Sequence, residues 1–250
     1  MKTQNCIVQL TNIKANINLF FFPFAGGTSQ SYRSLVKSGK IVGCNMYALE
    51  LPGRGLRMND NYSLSVEEIK NECILALQPF LNDPMIFVGH SMGSIIAYEL
   101  LCAVKALNDA SQAALIVSAA NSPRHLTVKD HVFNMSLSEF RTYVKSMGGV
   151  PEAISENDQL LDFFLPRIYN DMKLLQTYKP NDKAILNTPI TAIAPTDDNN
   201  VKPEYVLDWG NFTNNHFEIN WCEGGHFYLF DEMTILTNVI NQVLQEYLQC

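Results

Sequence analysis

The sequence has little positive charge. Lysine and arginine together number 18 of 250 residues, and the formal net charge is −7. The charged fraction is 17%, against about 25% in ordinary soluble domains. No run of five or six like charges occurs, so nucleic-acid binding through phosphate neutralisation is not expected. Cysteine is present but unorganised. Cys6, Cys44, Cys73, Cys102, Cys222 and Cys250 form neither a Cys-x-x-Cys pair nor a Cys/His cluster. That pattern suggests neither a zinc site nor a disulfide framework, and reads as reduced, mostly buried thiols. No apolar stretch reaches about 18 residues, so no membrane span is expected. The run Leu19–Ala25 is short, and Lys14, Asn16 and Asn18 precede it where a signal peptide would be apolar. No repeat or low-complexity linker is visible. These absences leave a soluble, cytoplasmic protein. Its 47% hydrophobic content suffices for one large core.

Short apolar runs bounded by turn residues alternate with longer helical patterns. The runs are Ile17–Phe22, Asn45–Leu51, Met85–Val88, Ala114–Ala119, Ile190–Ala194 and Phe217–Trp221. Each reads as a buried parallel strand. The residues through Ile13 offer a further edge strand. Ser65-x-x-Glu68 opens a helix running to about Leu81, and helical spacing continues over Met92–Leu107 and Met233–Leu248. This alternation predicts an α/β fold with a mostly parallel sheet. From about Lys129 to Pro180 the alternation stops. Ser136-x-x-Glu139 opens one helix there, and the apolar stretch Gln159–Tyr178 forms another, which Pro166 is expected to end or kink. About 50 residues is too long for a simple crossover, so residues 129–180 read as a helical lid inserted in a single domain spanning 1–250.

Gly89-His90-Ser91-Met92-Gly93 fits Gly-x-Ser-x-Gly and lies between a strand and a helix. That is the context of a nucleophile elbow, in which a strained turn lifts the Ser91 hydroxyl above the sheet edge. A serine hydroxyl needs a base. Of five histidines, His226 follows the last strand in a Gly-Gly turn, where an α/β-hydrolase carries its base. His90 adjoins the serine, and its side chain should diverge from it. The acid should follow the fifth of the six runs, in Pro195-Thr196-Asp197-Asp198. The usual Gly-x-x-Asp loop selects Asp198, with Asp197 as the alternative. Glu204 and Asp208 read as solvated. Oxyanion stabilisation needs two backbone N–H groups. Met92 supplies one at the helix N-terminus, and either Phe24 or Ala25 the other.

The chain resembles the type II thioesterases that serve nonribosomal peptide and polyketide synthases. The resemblance rests on Phe22-Pro-Phe-Ala-Gly-Gly27, Leu51-Pro-Gly-Arg-Gly55 with Arg57, Gly89-His-Ser-Met-Gly93 and Gly148-Gly-Val-Pro151. It continues through Phe164-Leu-Pro166 with Asp171, Trp209 and Gly224-Gly-His-Phe227. Two positions depart from the family pattern: Tyr169 replaces an arginine, and Pro195 a glycine. The resemblance implies hydrolysis of acyl groups from the phosphopantetheine arm of carrier proteins, by a monomer needing no cofactor or metal. It makes Arg54 and Arg57 candidate carrier contacts, Arg54 having a structural role as its alternative. It also places Leu160, Leu161, Phe163, Phe164, Leu165, Ile168 and Met172 around an acyl pocket. A small-molecule esterase on the same fold is the competing enzyme reading. A non-catalytic hydrolase-fold binding protein would require a broken Ser-acid-His order, and here all three members stand in order.

Overall fold

The computed structural model describes residues 6–148, 150, 152–181 and 184–248. Gly149 and Pro151 of the Gly148–Pro151 motif, and Cys250, lie outside the described residues. The strands are β1 (Ile7–Gln9), β2 (Ile17–Phe22), β3 (Cys44–Leu49), β4 (Met85–His90), β5 (Ala113–Ser118), β6 (Ile190–Pro195) and β7 (Phe217–Cys222). The helices are α1 (Arg33–Lys37), α2 (Val66–Leu77), α3 (Met92–Leu107), α4 (Leu137–Ser146), α5 (Glu152–Ser155) and α6 (Asp158–Thr177). Further along come α7 (Pro203–Leu207), α8 (Tyr228–Asp231) and α9 (Met233–Leu248).

The strands form one seven-stranded sheet in the order β1-β3-β2-β4-β5-β6-β7. Only the β1–β3 edge pair is antiparallel. Strand β2 shows why the central strands read as continuous apolar runs. Every residue of Ile17–Phe22 is buried. Ile17, Leu19 and Phe21 face the side covered by α1 and α9, while Phe20 and Phe22 face α2 and α3. A parallel strand covered on both faces needs apolar side chains at both parities.

The stretch between β5 and β6 builds a core of its own. Val132, Phe140, Val144, Leu161, Leu165, Ile168 and Met172 cluster there. Pro166 does not end the helix: α6 runs unbroken through it. Leu161 and Leu165 before the proline, and Ile168 and Met172 after it, pack on the same partners, and this tertiary packing outweighs the one lost backbone bond. Ser136 and Glu139 form a reciprocal capping box at α4. At α2 only half of that arrangement exists, because Glu68 accepts from Leu64 rather than Ser65. Asp208 is not solvated as expected. It accepts from Ser122, Arg124 and Asn211, which ties it to the segment after β5.

Helix α6 is fastened across the carboxyl ends of β2 and β3 by a buried ion pair. Arg54 donates to both carboxylate oxygens of Asp171 at 2.7 and 2.6 Å. Asp171 also accepts the Gly26 backbone N–H at 2.7 Å, and Arg54 donates to the Gly27 carbonyl at 3.1 Å. Arg57 is likewise occupied, by Asp60, Glu72 and the Glu50 carbonyl. Both arginines are buried. For Arg57 the expectation of a carrier contact is therefore corrected, and for Arg54 the structural alternative is the one found: both charges are spent inside the fold. Removing one partner of such a pair strands the other charge, which costs roughly 3–5 kcal/mol. Asp171→Leu is expected to lower the unfolding free energy from urea denaturation by that order, and with it the midpoint, while Arg54→Met/Asp171→Leu recovers part of the loss. Equal midpoints for the single and double variants would contradict a buried, coupled pair.

Candidate active site

Ser91 joins β4 to α3 with φ 53° and ψ −121°, a backbone conformation costly for a residue with a Cβ. The turn is held by close backbone contact on both sides. A Cβ on Gly89 would lie 2.4 Å from the backbone of Ser94, and one on Gly93 would lie 2.0 Å from the Phe22 carbonyl oxygen. Only glycine fits at either place. The second contact brings the start of α3 against the end of β2, next to the loop carrying Phe24 and Ala25. The Ser91 N–H is anchored to the Ser118 carbonyl at 2.8 Å. Met92 opens α3, so its N–H lies in the helix turn that lacks intrahelical acceptors.

The residues singled out from sequence meet in one chain of hydrogen bonds. His226 Nε2 lies 2.9 Å from Ser91 Oγ, and its Nδ1 lies 2.6 Å from Asp198 Oδ2. The Asp198 side chain is fully buried. Its other oxygen accepts from the Asn200 N–H at 2.8 Å and the Asn200 amide at 3.1 Å. Asp197 turns away: its carboxylate accepts the Gly224 N–H, and its own N–H donates to the Gly224 carbonyl. It thereby braces the loop that carries His226, with Gly224 at φ 108°.

Sequence reasoning missed the support around this chain. Asn200 bridges outward, donating to the Met147 carbonyl as well as to Asp198. His90 packs 5.3 Å from the His226 ring and against Phe24 and Phe227. Its Nδ1 lies 2.9 Å from Ser118 Oγ, which lies 2.8 Å from the Tyr228 hydroxyl. Its Nε2 is buried with no hydrogen-bond partner among the described residues. Burial, helped by the neighbouring His226, holds the His90 imidazole well below the usual histidine pKa. His90 is thus a neutral wall behind His226. The signal available was its place as the last residue of β4, one step out of register with Ser91.

A cavity of about 240 Å³ lies beside the Phe24–Thr28 loop, walled by Val150, Ile154, Phe164, Ile168 and Phe230. Of the seven residues expected around a pocket, only Phe164 and Ile168 line it. Leu161, Leu165 and Met172 belong to the inner core of the helical stretch. Leu160 and Phe163 face solvent. The helical period of 3.6 places 161, 165, 168 and 172 on one stripe, and leaves 164 on the cavity flank. Ile168 is seated on Gly26, where any Cβ would come within 2.7 Å of it.

Among the described residues, no group of three or more His, Cys, Asp or Glu side chains could hold a metal ion. No helix among the described residues is long and apolar enough to cross a membrane. A mostly parallel sheet bearing a serine on a strand–helix turn, with aspartate and histidine following in that order, is the α/β-hydrolase arrangement. The chain belongs to the Thioesterase domain family, whose model matches residues 17–245. It is 27% identical over 94% of its length, and 90% of the relative's, to the linear gramicidin dehydrogenase LgrE of Brevibacillus parabrevis. It is 28% identical to the medium-chain S-acyl fatty acid synthase thioesterase of Homo sapiens, covering 91% of this chain and 85% of that one. Among solved structures it is similar to the type II thioesterase BorB from the borrelidin biosynthetic cluster. That match has a TM-score of 0.85 and 27% identity, over 94% of this chain and 96% of that one.

The neutral state of His90 sets a pH dependence. The unfolded chain takes up a proton on His90 below about pH 6.5, whereas the folded chain resists it. Stability contributed in this way is complete above about pH 6.5 and declines as pH falls below it. His90→Gln is expected to flatten that acid limb in urea-denaturation midpoints measured between about pH 7.5 and 5.5. An unchanged limb would show that other groups account for it.

Proposed function

We propose that this protein hydrolyses acyl thioesters carried on the phosphopantetheine arm of carrier proteins in nonribosomal peptide or polyketide assembly, removing stalled or wrong acyl units. The observation carrying the reading is the Ser91–His226–Asp198 hydrogen-bond chain on a strained elbow, in a chain matching the Thioesterase domain family over almost its whole length. The similarity to a type II thioesterase of a biosynthetic cluster and to a fatty acid synthase thioesterase supports the substrate class.

In this mechanism His226 Nε2 accepts the Ser91 proton as Ser91 Oγ attacks the thioester carbonyl. The developing oxyanion takes the Met92 N–H and one from Phe24 or Ala25; Gly26 is not available, since Asp171 already occupies its N–H. The C–S bond breaks, His226 returns the proton to the departing sulfur, and the acyl group remains on Ser91. Water then attacks the ester, His226 takes its proton and passes it to Ser91 Oγ, and the free acid leaves. Asp198 stays ionised throughout, orienting the ring and stabilising the imidazolium. No step calls on a cofactor or metal. Residues 129–180 act as a lid over the acyl group, and the cavity of about 240 Å³ is its pocket. That volume lies below the ~300–1,000 Å³ of drug-sized sites, which favours short acyl groups. Cys44, Cys102 and Cys222 carry free thiols, which fits a reducing, cytoplasmic setting. The word dehydrogenase in the name of one relative has no counterpart here: the chain contains no Gly-x-Gly-x-x-Gly turn for a dinucleotide.

Four measurements test this reading. Ser91→Ala is expected to lower kcat by ~10⁴–10⁶ while leaving the melting temperature near wild type. Retention of a tenth of wild-type activity on acyl-loaded carrier proteins, followed by intact mass, would rule out Ser91 as nucleophile. Asp198→Asn is expected to lose roughly 10⁴-fold in kcat through the wrong imidazole tautomer, and Asp197→Asn far less. The reverse ranking would move the acid by one residue. Trimming the pocket with Phe164→Leu or Ile168→Ala is expected to shift relative kcat/KM toward longer acyl chains by about tenfold. An unchanged chain-length profile would place selectivity elsewhere. A preference for p-nitrophenyl esters over carrier-bound acyl groups would favour a small-molecule esterase instead.

A further inference from the structure

Buried ionised side chains in this protein are matched with opposite charges or strong donors. Arg54 faces Asp171, Arg57 faces Asp60 and Glu72, Asp198 faces His226, and Glu50 accepts the N–H and hydroxyl of Ser29. Arg167 on α6 differs. It is only 5% exposed, yet among the described residues no carboxylate lies within ion-pair distance of its guanidinium. The group lies over the rings of Phe163 and Phe164, 4.5 and 5.3 Å from their centroids. Its Nη2 points at the sulfur of Met58 at 3.8 Å, a weak acceptor. Glu50 and Asp171 act on it at a distance, but each is already satisfied by Ser29, Arg54 and Gly26, and Arg54 repels it.

Stacking satisfies the faces of a guanidinium and leaves its edge free. Arginine donates five N–H groups in that edge plane, in a fork matched to phosphate or carboxylate. The N–H groups of Arg167 that lack a partner keep a narrow contact with solvent, since among the described residues His90 Nε2 is the side-chain nitrogen that is both sealed and unpartnered. Its position also counts. Phe164 lines the cavity, whereas Phe163 and Met58, 56% and 49% exposed, face solvent. Arg167 therefore lies on the flank of α6 next to the cavity wall, with Phe163 and Met58 at the surface beside it, and carries an unmatched cationic fork.

We propose that Arg167 binds the phosphate of the phosphopantetheine arm while the thioester lies at Ser91. This rests on the proposed thioesterase function and adds a recognition point to it. The arm is uncharged from thioester to phosphate, so the phosphate is the group on it that a lone guanidinium would select. The net charge of −7 disfavours any anion at long range, so capture of the arm needs a local cation. A bidentate guanidinium–phosphate contact supplies both the charge and a fixed direction of entry.

The test compares kcat/KM for one acyl group carried on 4′-phosphopantetheine, on pantetheine without phosphate, and on a carrier protein. The enzymes are wild type, Arg167→Gln and Arg167→Lys, with Arg167→Met, which keeps the apolar stem over both rings, should the glutamine variant unfold. Wild type is expected to prefer the phosphorylated over the unphosphorylated substrate by about tenfold, the scale of one charge-assisted hydrogen-bond pair, and the preference should weaken with salt. Arg167→Gln should bring that ratio close to one, and Arg167→Lys should retain part of it. A wild-type ratio near one would overturn the proposal. So would equal losses on both small substrates in Arg167→Gln, which would make the arginine a packing element. A loss confined to the carrier-bound substrate would overturn it as well, by placing the arginine against a side chain of the carrier. Failure of the underlying function is separately visible: wild type would hydrolyse p-nitrophenyl esters but no pantetheine thioester, and both readings would fall together.

Discussion

The carboxylate of Asp171 is where three distant segments meet. It accepts from the Gly26 N–H after β2 and from both terminal nitrogens of Arg54 after β3, while itself belonging to α6. Two consequences follow from a single buried charge. The Phe24–Gly27 loop is held in place beside the Ser91 turn, and α6 is seated across the sheet edge with Ile168 against Gly26. An ion pair sealed at this depth gains little net stability, but it tolerates few other arrangements, because every alternative strands a charge. The pair acts as a register mark between the sheet and the helical stretch.

The Ser91 turn depends on that register. Its backbone strain persists only because Gly89 and Gly93 let two other backbones approach to distances that no side chain permits. The approach of Gly93 to the Phe22 carbonyl puts the N-terminus of α3 and the Phe24 loop side by side. Behind them His90 stays neutral in an apolar setting, enclosed by Phe24, Phe227 and His226. A neutral neighbour does not add repulsion when His226 takes a proton. On the far side Asn200 connects Asp198 to Met147 at the end of α4, so the loop after β6 and the helical stretch are joined through one amide.

Much was legible along the chain. The central strands and the helices α3 and α9 are local signals, set by runs of apolar residues and by caps, and their bounds shift by only a few residues in the structure. Ser91 and His226 were readable because their turn chemistry is local: a strand, a Gly-bounded turn, then a helix or loop. Asp198 was selected by spacing, and the contact that separates it from Asp197 is with a loop 28 residues further on. Residues whose meaning depends on a distant partner were misread. Arg57 looks like a surface cation until Glu72 is brought to it. Phe163 and Met172 look like pocket residues until the rotation of α6 about its axis is known. Pro166 looks like a break until packing on either side of it is known.

The sequence by itself determined the α/β alternation, the Gly-bounded serine turn between strand and helix, and the order serine–aspartate–histidine, because each is written in neighbours along the chain. Only the tertiary structure decided which cations are spent internally, which flank of α6 lines the cavity, that His90 stands behind His226, and that Arg167 keeps an unmatched charge. These are statements about pairs from segments far apart, and charge compensation and burial are properties of such pairs rather than of any residue alone.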